Sequence, residues 1–305
     1  QRTKKSALHF LTITLRNVSL KKRQTIIAVA LLAIGTFSVI ITGANRKTFY
    51  GSEINPQSGT GGFLFWAEST IPVLHDLNSV EGKKKYGLAD EADLKQVLFM
   101  QMLSLRGNDA SCLNLNQVKQ PTMLAVHPVY FDTRQAFSFS RLHPDVDEKH
   151  PWLTLNKEFA AGVIPCFADQ TVITYGMQKK IGDTLLYTDE SGKPLKIIIM
   201  GGLNNSVFQG NILVSADLFS KYFPSAGSSE LMLIDGDFRK QKAIAERLEY
   251  IFQDFGMVVT PASERLAQFN SVENTYLSVF MLLGGLGVLI GTIGLGIVVF
   301  KTIRD

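Results

Sequence analysis

The chain reads as an α+β domain held outside a membrane between two transmembrane α-helices. Two long uncharged stretches predict it, together with a charge bias that changes sign along the chain and strand and turn signals between the stretches. Residues 24–45 run for 22 residues without a charge around the centre IIAVALLAIGTFSVII, and residues 274–300 run for 27. At about 1.5 Å per residue, each is long enough for a hydrocarbon core of roughly 30 Å. Two core helices of a soluble protein would be shorter and would keep a polar face, which neither stretch has. A cleaved signal peptide would carry a shorter apolar run and a small-residue cleavage site.

The charge supports the same layout. Lys and Arg number 31 against 27 Asp and Glu, a net of +4, and that balance gives no reason to expect a nucleic-acid partner. Its distribution is uneven. Arg2, Lys4, Lys5, Arg16, Lys21, Lys22 and Arg23 precede the first stretch with no acid among them, and Lys301 and Arg304 follow the second. The segment between is net acidic. By the positive-inside rule both ends are cytoplasmic and residues 46–274 are extracytoplasmic, in a multi-pass protein of the plasma (inner) membrane. A hydrophobic content of 46% excludes a disordered chain.

Taken in order, residues 1–23 form a basic amphipathic helix in which Leu8, Leu11, Leu15 and Val18 recur at three-four spacing. Such a helix lies on the inner leaflet or packs on another domain. After the span at 24–45, the extracytoplasmic domain covers 46–260. It opens with the Gly/Ser-rich GSEINPQSGTGG and a strand in FLFWAEST from Phe63. VLFMQMLSL is a strand ending at the Gly107-Asn108-Asp109 turn, and GVIPCFAD is another. Thr184–Thr188 and Leu195–Met200 read as a hairpin with Gly192 in its turn. Residues 134–152 are the most polar and least patterned, and read as a loop or small insertion.

Near the end of the domain, LMLID is a strand, and Ile244, Leu248, Ile251, Phe252 and Phe255 define a helix face that Gly256 stops. MVVT returns as a strand, completing a β-α-β unit. Thr260 and Pro261 then read as the cap and first turn of one continuous helix reaching Thr302, roughly twice as long as the hydrocarbon is thick. Residues 261–273 would be a stalk and 301–305 the start of a cytoplasmic coupling segment. Phe269, Val272, Tyr276, Val279 and Leu283 make a stripe suited to packing against another helix. Gly284, Gly287, Gly291 and Gly294 also recur at three-four spacing, either as a close-packing face or because membrane helices are rich in glycine.

Catalytic patterns are not written in the chain. The nearest string to a phosphate-binding loop, GIVVFKT, has Phe300 where glycine is required, so ATP hydrolysis by this chain alone is not expected. HPDVDEKH, with His143, Asp145, Asp147 and His150, reads as a solvated acidic loop rather than a metal site. No cofactor is expected. Cys112 and Cys166 both fall outside the membrane, where either a disulfide or two buried thiols fits their spacing. The spans contain no charged residue, which argues against an ion path through them.

Several stretches resemble the FtsX/MacB-like ABC transporter permeases. TVITYGMQKKIGDTLLY is similar to a segment of that family in which a short helix precedes a Gly-Asp-Thr strand start. ERLAQFNSVENTYLSVFMLLGGLGVLIGTIGLGIVVFKTIRD resembles its stalk, second span and coupling segment. TGGFLFWAEST and NDASCLNLN look like members with large ectodomains, and RNVSLKKRQTIIAVALLAIGTF looks like the second repeat of tandem-duplicated members. The family has two further spans, so the resemblance makes the chain a part of something longer. It implies a MacB-like periplasmic core, a cytoplasmic ABC ATPase subunit as partner, a dimer of permeases or permease repeats, and an extracytoplasmic substrate or adaptor. It also implies mechanotransmission along the stalk. A two-span receptor whose ectodomain binds a small ligand has the same topology through residue 305; a tethered ectoenzyme would need catalytic residues that the sequence does not write.

Overall fold

The computed structural model describes residues 22–45, 49–107, 118–226 and 229–304. The amphipathic segment before Lys22, the turn at Asn108-Asp109, Cys112 and Asp305 lie outside the described residues. The chain forms two compact units, one from the segment up to Thr48 together with Asn270–Asp305, the other from Phe49–Phe269.

In the first unit, α1 (Lys22–Asn45) and the later helix α7 (Ser271–Arg304) pack on each other. Their 24 and 34 residues give lengths of about 36 and 51 Å. Ser271–Ile297 has a mean hydropathy of 2.1 and is long and apolar enough to cross a membrane; in α1 the corresponding described stretch, Val29–Asn45, is shorter. Outward-facing side chains on both helices are apolar and exposed, among them Ile34, Phe37, Ile40, Leu282, Leu286 and Ile290. An all-round apolar surface of this extent is what lipid-facing helices present.

The second unit is built on one ten-stranded sheet. Its elements in chain order are β1 (Phe65–Val73), α2 (Val80–Lys85), β2 (Leu98–Leu105), β3 (Thr122–Val126), α3 (Pro128–Arg134), β4 (Phe139–Leu142) and β5 (Val163–Asp169). A π-helical turn at Val172–Gly176 leads to β6 (Thr184–Thr188), β7 (Pro194–Leu203), β8 (Asn211–Ser215) and α4 (Ala216–Tyr222). The unit ends with β9 (Ser229–Asp235), α5 (Gln241–Ile251), β10 (Val258–Pro261) and α6 (Ala262–Phe269). The spatial order is β10-β1-β9-β2-β3-β8-β5-β7-β4, with β6 paired to β7.

This order contains a recognisable half. Strand β9 runs antiparallel between β1 and β2, and β1 runs antiparallel between β9 and β10. With α2 between β1 and β2 and α5 between β9 and β10, this is the split β-α-β layout of ferredoxin-like sheets. Everything from β3 to α4 is inserted between its second and third strands. The insert continues the sheet through the antiparallel β2–β3 pair and the parallel β3–β8 pair.

Local chemistry sets the register. Pro72, which has no N–H to give a ladder, falls where the β1–β9 pairing shifts between Glu68 and Val73. The hairpin β6–β7 forms with Gly192 at φ 78°, as its sequence predicted. Ile244, Leu248 and Phe252 are buried as the helix face predicts; α5 stops at Ile251, and Gly256, at φ 60°, closes the 3-10 turn Gln253–Phe255 that follows it, where a Cβ would meet Thr70 Oγ1 at 2.8 Å. Edge strand β10 is protected, because Glu249 accepts a hydrogen bond from the Val259 N–H at 3.2 Å.

Two expectations are corrected. Residues 134–152 are not a loose loop: they contain β4, and Ala136, Phe137, Val146 and Trp152 sink into a core with Phe63, Trp66, Phe131, Phe167 and Phe208. Trp152 is fully enclosed and donates its indole N–H to the Ala136 carbonyl at 2.9 Å. Only the outward residues of this stretch are polar, and its elements are too short to show a period. The helix from Pro261 to Thr302 is also not continuous. Thr260 and Pro261 pair with Trp66 and Phe65 in the sheet, and helix begins at Ala262, whose N–H bonds the Leu64 carbonyl. A turn at Asn270 separates α6 from α7, and the Asn270 carbonyl accepts the first hydrogen bond of α7 from the Asn274 N–H at 2.9 Å.

Candidate coupling elements

The four glycines picked out by spacing do not share one environment. A Cβ at Gly284 would lie 3.1 Å from Ser38 Cβ, 3.2 Å from Val39 Cγ2 and 3.3 Å from the Gly35 carbonyl oxygen. One at Gly291 would lie 3.2 Å from Leu32 Cδ2 and Cγ. At Gly287 and Gly294 it would meet nothing within 4 Å. Successive helix residues are about 100° apart, so Gly287 is turned about 60° away from Gly284, whereas Val288 stays within about 40° of it. The packing face of α7 therefore follows Gly284, Val288 and Gly291.

The matching surface on α1 was not read from the sequence. Gly35 is its point of closest approach: a Cβ there would be 2.9 Å from Val288 Cγ2, 3.0 Å from the Val288 nitrogen and 3.2 Å from the Gly284 carbonyl oxygen. Gly35, Ser38 and Thr42 recur at three and four residues, with Gly35 and Thr42 buried, and that small-residue spacing was the available signal.

Of the three stalk residues, Phe269 ends α6, while Val272 and Tyr276 belong to α7 and are exposed. Within the α/β unit, α6 is held by a compact constellation. Ala262 and Leu266 are buried in the aromatic core. On its other side, the Arg265 guanidinium lies 3.9 Å from the centre of the Trp66 ring and 5.2 Å from that of Phe269. Its Nη1 donates to Glu68 Oε1 at 2.9 Å and its Nε to the Val207 carbonyl at 3.4 Å. Trp66 Nε1 donates to the same Glu68 oxygen at 2.6 Å. Burial pulls the Arg265 pKa below the ordinary arginine value, opposed by the charge and hydrogen bond of Glu68. A cation on an indole face with a carboxylate at its edge fixes the angle at which α6 leaves the sheet.

A second clasp explains the glycines of TGGFLFWAEST. Gly61 and Gly62 have φ of 65° and 72°, and their carbonyls accept hydrogen bonds from Arg134 at 3.2 and 2.5 Å. Arg134 also pairs with Asp235 of β9 and lies 4.8 Å over the Phe63 ring. Asp169, fully enclosed at the end of β5, accepts from both the N–H and hydroxyl of Thr171 and of Ser206. Cys166 is a buried free thiol whose pKa burial pushes up. His150 Nδ1 is 2.8 Å from Asp132, His143 Nδ1 is 3.5 Å from Asp145, and among the described residues no group of three or more His, Cys, Asp or Glu is placed to hold a metal.

No family model and no curated protein matches the chain. Solved structures similar to it include the periplasmic region of MacB from Actinobacillus actinomycetemcomitans. That structure is 12% identical, and the match covers 73% of this chain and 98% of that one with a TM-score of 0.36. Another is the extracellular domain of the noncanonic ABC-type transporter YknZ from Gram-positive bacteria, 12% identical over 65% of this chain and 98% of that one, with a TM-score of 0.30.

Proposed function

We propose that this chain is the membrane permease component of an ABC transporter, in which ATP hydrolysed by a separate cytoplasmic subunit drives movement that an extracytoplasmic α/β domain delivers to a substrate or adaptor. The observation that carries the reading is the arrangement of the chain: an α/β unit whose last helix is clamped to its sheet by Arg265, followed after one residue by an apolar helix long enough for a bilayer. The clamp gives α6 a fixed point of attachment on the sheet, where a pull on the chain would be received by the α/β unit. The sequence resemblance to FtsX/MacB-like permeases supports the same assignment, and the basic flanks support cytoplasmic ends with residues 46–274 outside the membrane. Phe269, Val272 and Tyr276 would transmit, and Gly284 and Gly291 would hold the span.

The test is purification of the full-length protein from cross-linked membranes. It should carry an ATP-hydrolysing subunit whose turnover depends on this chain, and a cysteine placed at Gly192 should label from outside the cell. Recovery with a signalling kinase and no ATPase subunit would replace the permease reading with the receptor one.

A further inference from the structure

The segment that opens the α/β unit is built to face something apolar. Phe49 packs against the aromatic core and so fixes the segment, yet its neighbour Tyr50 is 92% exposed and Ile54 is 65% exposed. Gly51 at φ 80° turns the chain into the 3-10 turn Ser52–Ile54, which holds Tyr50 and Ile54 outward on the same short excursion. Tyr50 touches the ring of Phe238 only edge-on, at 6.5 Å between centres. An aromatic with a phenol and a β-branched apolar side chain, both projecting from a fixed turn, are unfavourable in water but suited to the headgroup layer of a bilayer, where tyrosine keeps its ring in an apolar zone and its hydroxyl in a wet one.

Covalent connectivity supplies the partner. Five residues after Asn45, the end of α1, the chain can have travelled at most about 18 Å. If α1 spans the bilayer, Tyr50 cannot leave the neighbourhood of its surface.

We propose that Phe49–Ile54 is a foot by which the α/β unit rests on the lipid headgroup layer, with Tyr50 and Ile54 as its inserted side chains. This rests on the membrane-spanning reading above.

Trp66 and Trp152 are each 1% exposed, so the fluorescence of an introduced surface tryptophan stands out by its quenching. The full chain would be reconstituted in phosphatidylcholine vesicles as Tyr50→Trp, Ile54→Trp, Leu289→Trp for mid-helix α7, and Tyr175→Trp as the aqueous comparator, since Tyr175 is 77% exposed far from either helix in sequence. A headgroup nitroxide lipid should remove about half or more of the added emission of Tyr50→Trp or Ile54→Trp, exceeding an acyl-chain nitroxide, with a blue-shifted maximum. Leu289→Trp should respond to the acyl-chain nitroxide. If Leu289→Trp responds and neither foot variant does, the foot is wrong and the membrane reading stands. If no variant responds, both are wrong. Equal quenching of Tyr175→Trp would overturn the foot as a specific contact.

Discussion

Replacing Gly35 with alanine is the smallest change that discriminates the helix-pair geometry from composition. The new methyl carbon would stand 3.0 Å from the Val288 backbone nitrogen and 2.9 Å from its Cγ2, closer than packed carbon atoms approach, and backbone cannot rotate aside. Overpacking of this kind costs about 1 to 3 kcal/mol. Set against it is the intrinsic helix preference of alanine over glycine, about 0.5 to 1 kcal/mol in the opposite sense. The net loss, at most about 2.5 kcal/mol, should weaken helix pairing by up to roughly sixtyfold, at about 1.4 kcal/mol per decade. Gly287→Ala gains the propensity without the clash, because nothing lies within 4 Å of its Cβ, and should be neutral or slightly stabilising. The readout is the labelling rate of a cysteine at Ser38, which borders Gly284, as sodium dodecyl sulfate is added to detergent-solubilised full-length protein. Gly35→Ala should label at lower denaturant than the parent, and Gly287→Ala should not. If the two label alike, the contact of α1 with α7 is not where the structure puts it.

Arg265→Met should keep the bulk of the α6 anchor while removing the cation over Trp66 and the Glu68 partner, lowering stability by about 1 to 3 kcal/mol and shifting the emission of Trp66 in guanidinium titrations. Trp152→Ala opens a large void in the aromatic core and should cost about 3 to 5 kcal/mol by the same titration; an unchanged midpoint would mean residues 143–156 are peripheral. Glu158, on the insert, accepts hydrogen bonds from Lys221 and Tyr222, which hold its carboxyl below the usual carboxylate range. A depressed folded pKa stabilises above the unfolded value and is lost as pH falls through the folded one. The thermal midpoint of Glu158→Gln should therefore trail wild type at neutral pH and converge with it below about pH 4; a gap that persists in acid would show that packing rather than charge is responsible.

The long apolar stretches, the hairpin around Gly192 and the apolar face of α5 were legible because each has a long period or an unambiguous turn residue. β3 and β8 were not. TMLAV and NILVS lie side by side as a parallel pair, and Met123–Val126 and Ile212–Ser215 are buried, so no alternation marks them as strands. Thr260 and Pro261 carried a helix-start signal that long-range pairing with Phe65 and Trp66 overrode. At the candidate site, two of the four glycines picked out by spacing, Gly284 and Gly291, face α1, and the helix rotation that turns Gly287 away depends on which side α1 approaches. Arg265 had no local signal at all, since its partners Glu68 and Trp66 lie in the first strand of the sheet.

The place of the insert has a consequence for how the chain comes to be folded. β1 and β2 are neighbours in sequence but not in the sheet, and both wait for β9, which lies between them. As the chain emerges, Leu105 is made long before Ser229, so the first two strands stay unpaired on their inner sides while β3 to β8 find partners with one another. Closing the ferredoxin-like half then means capturing β9 across a loop as long as a small domain, the kind of nonlocal step that slows folding. Until β9 arrives, Trp66, Met100 and Met102, which end up in the aromatic core, lack the cover that Leu233 of β9 gives them. The inner edge of β2 is thus left open longest, and an unpaired strand edge of this kind is where wrong pairing with another chain starts.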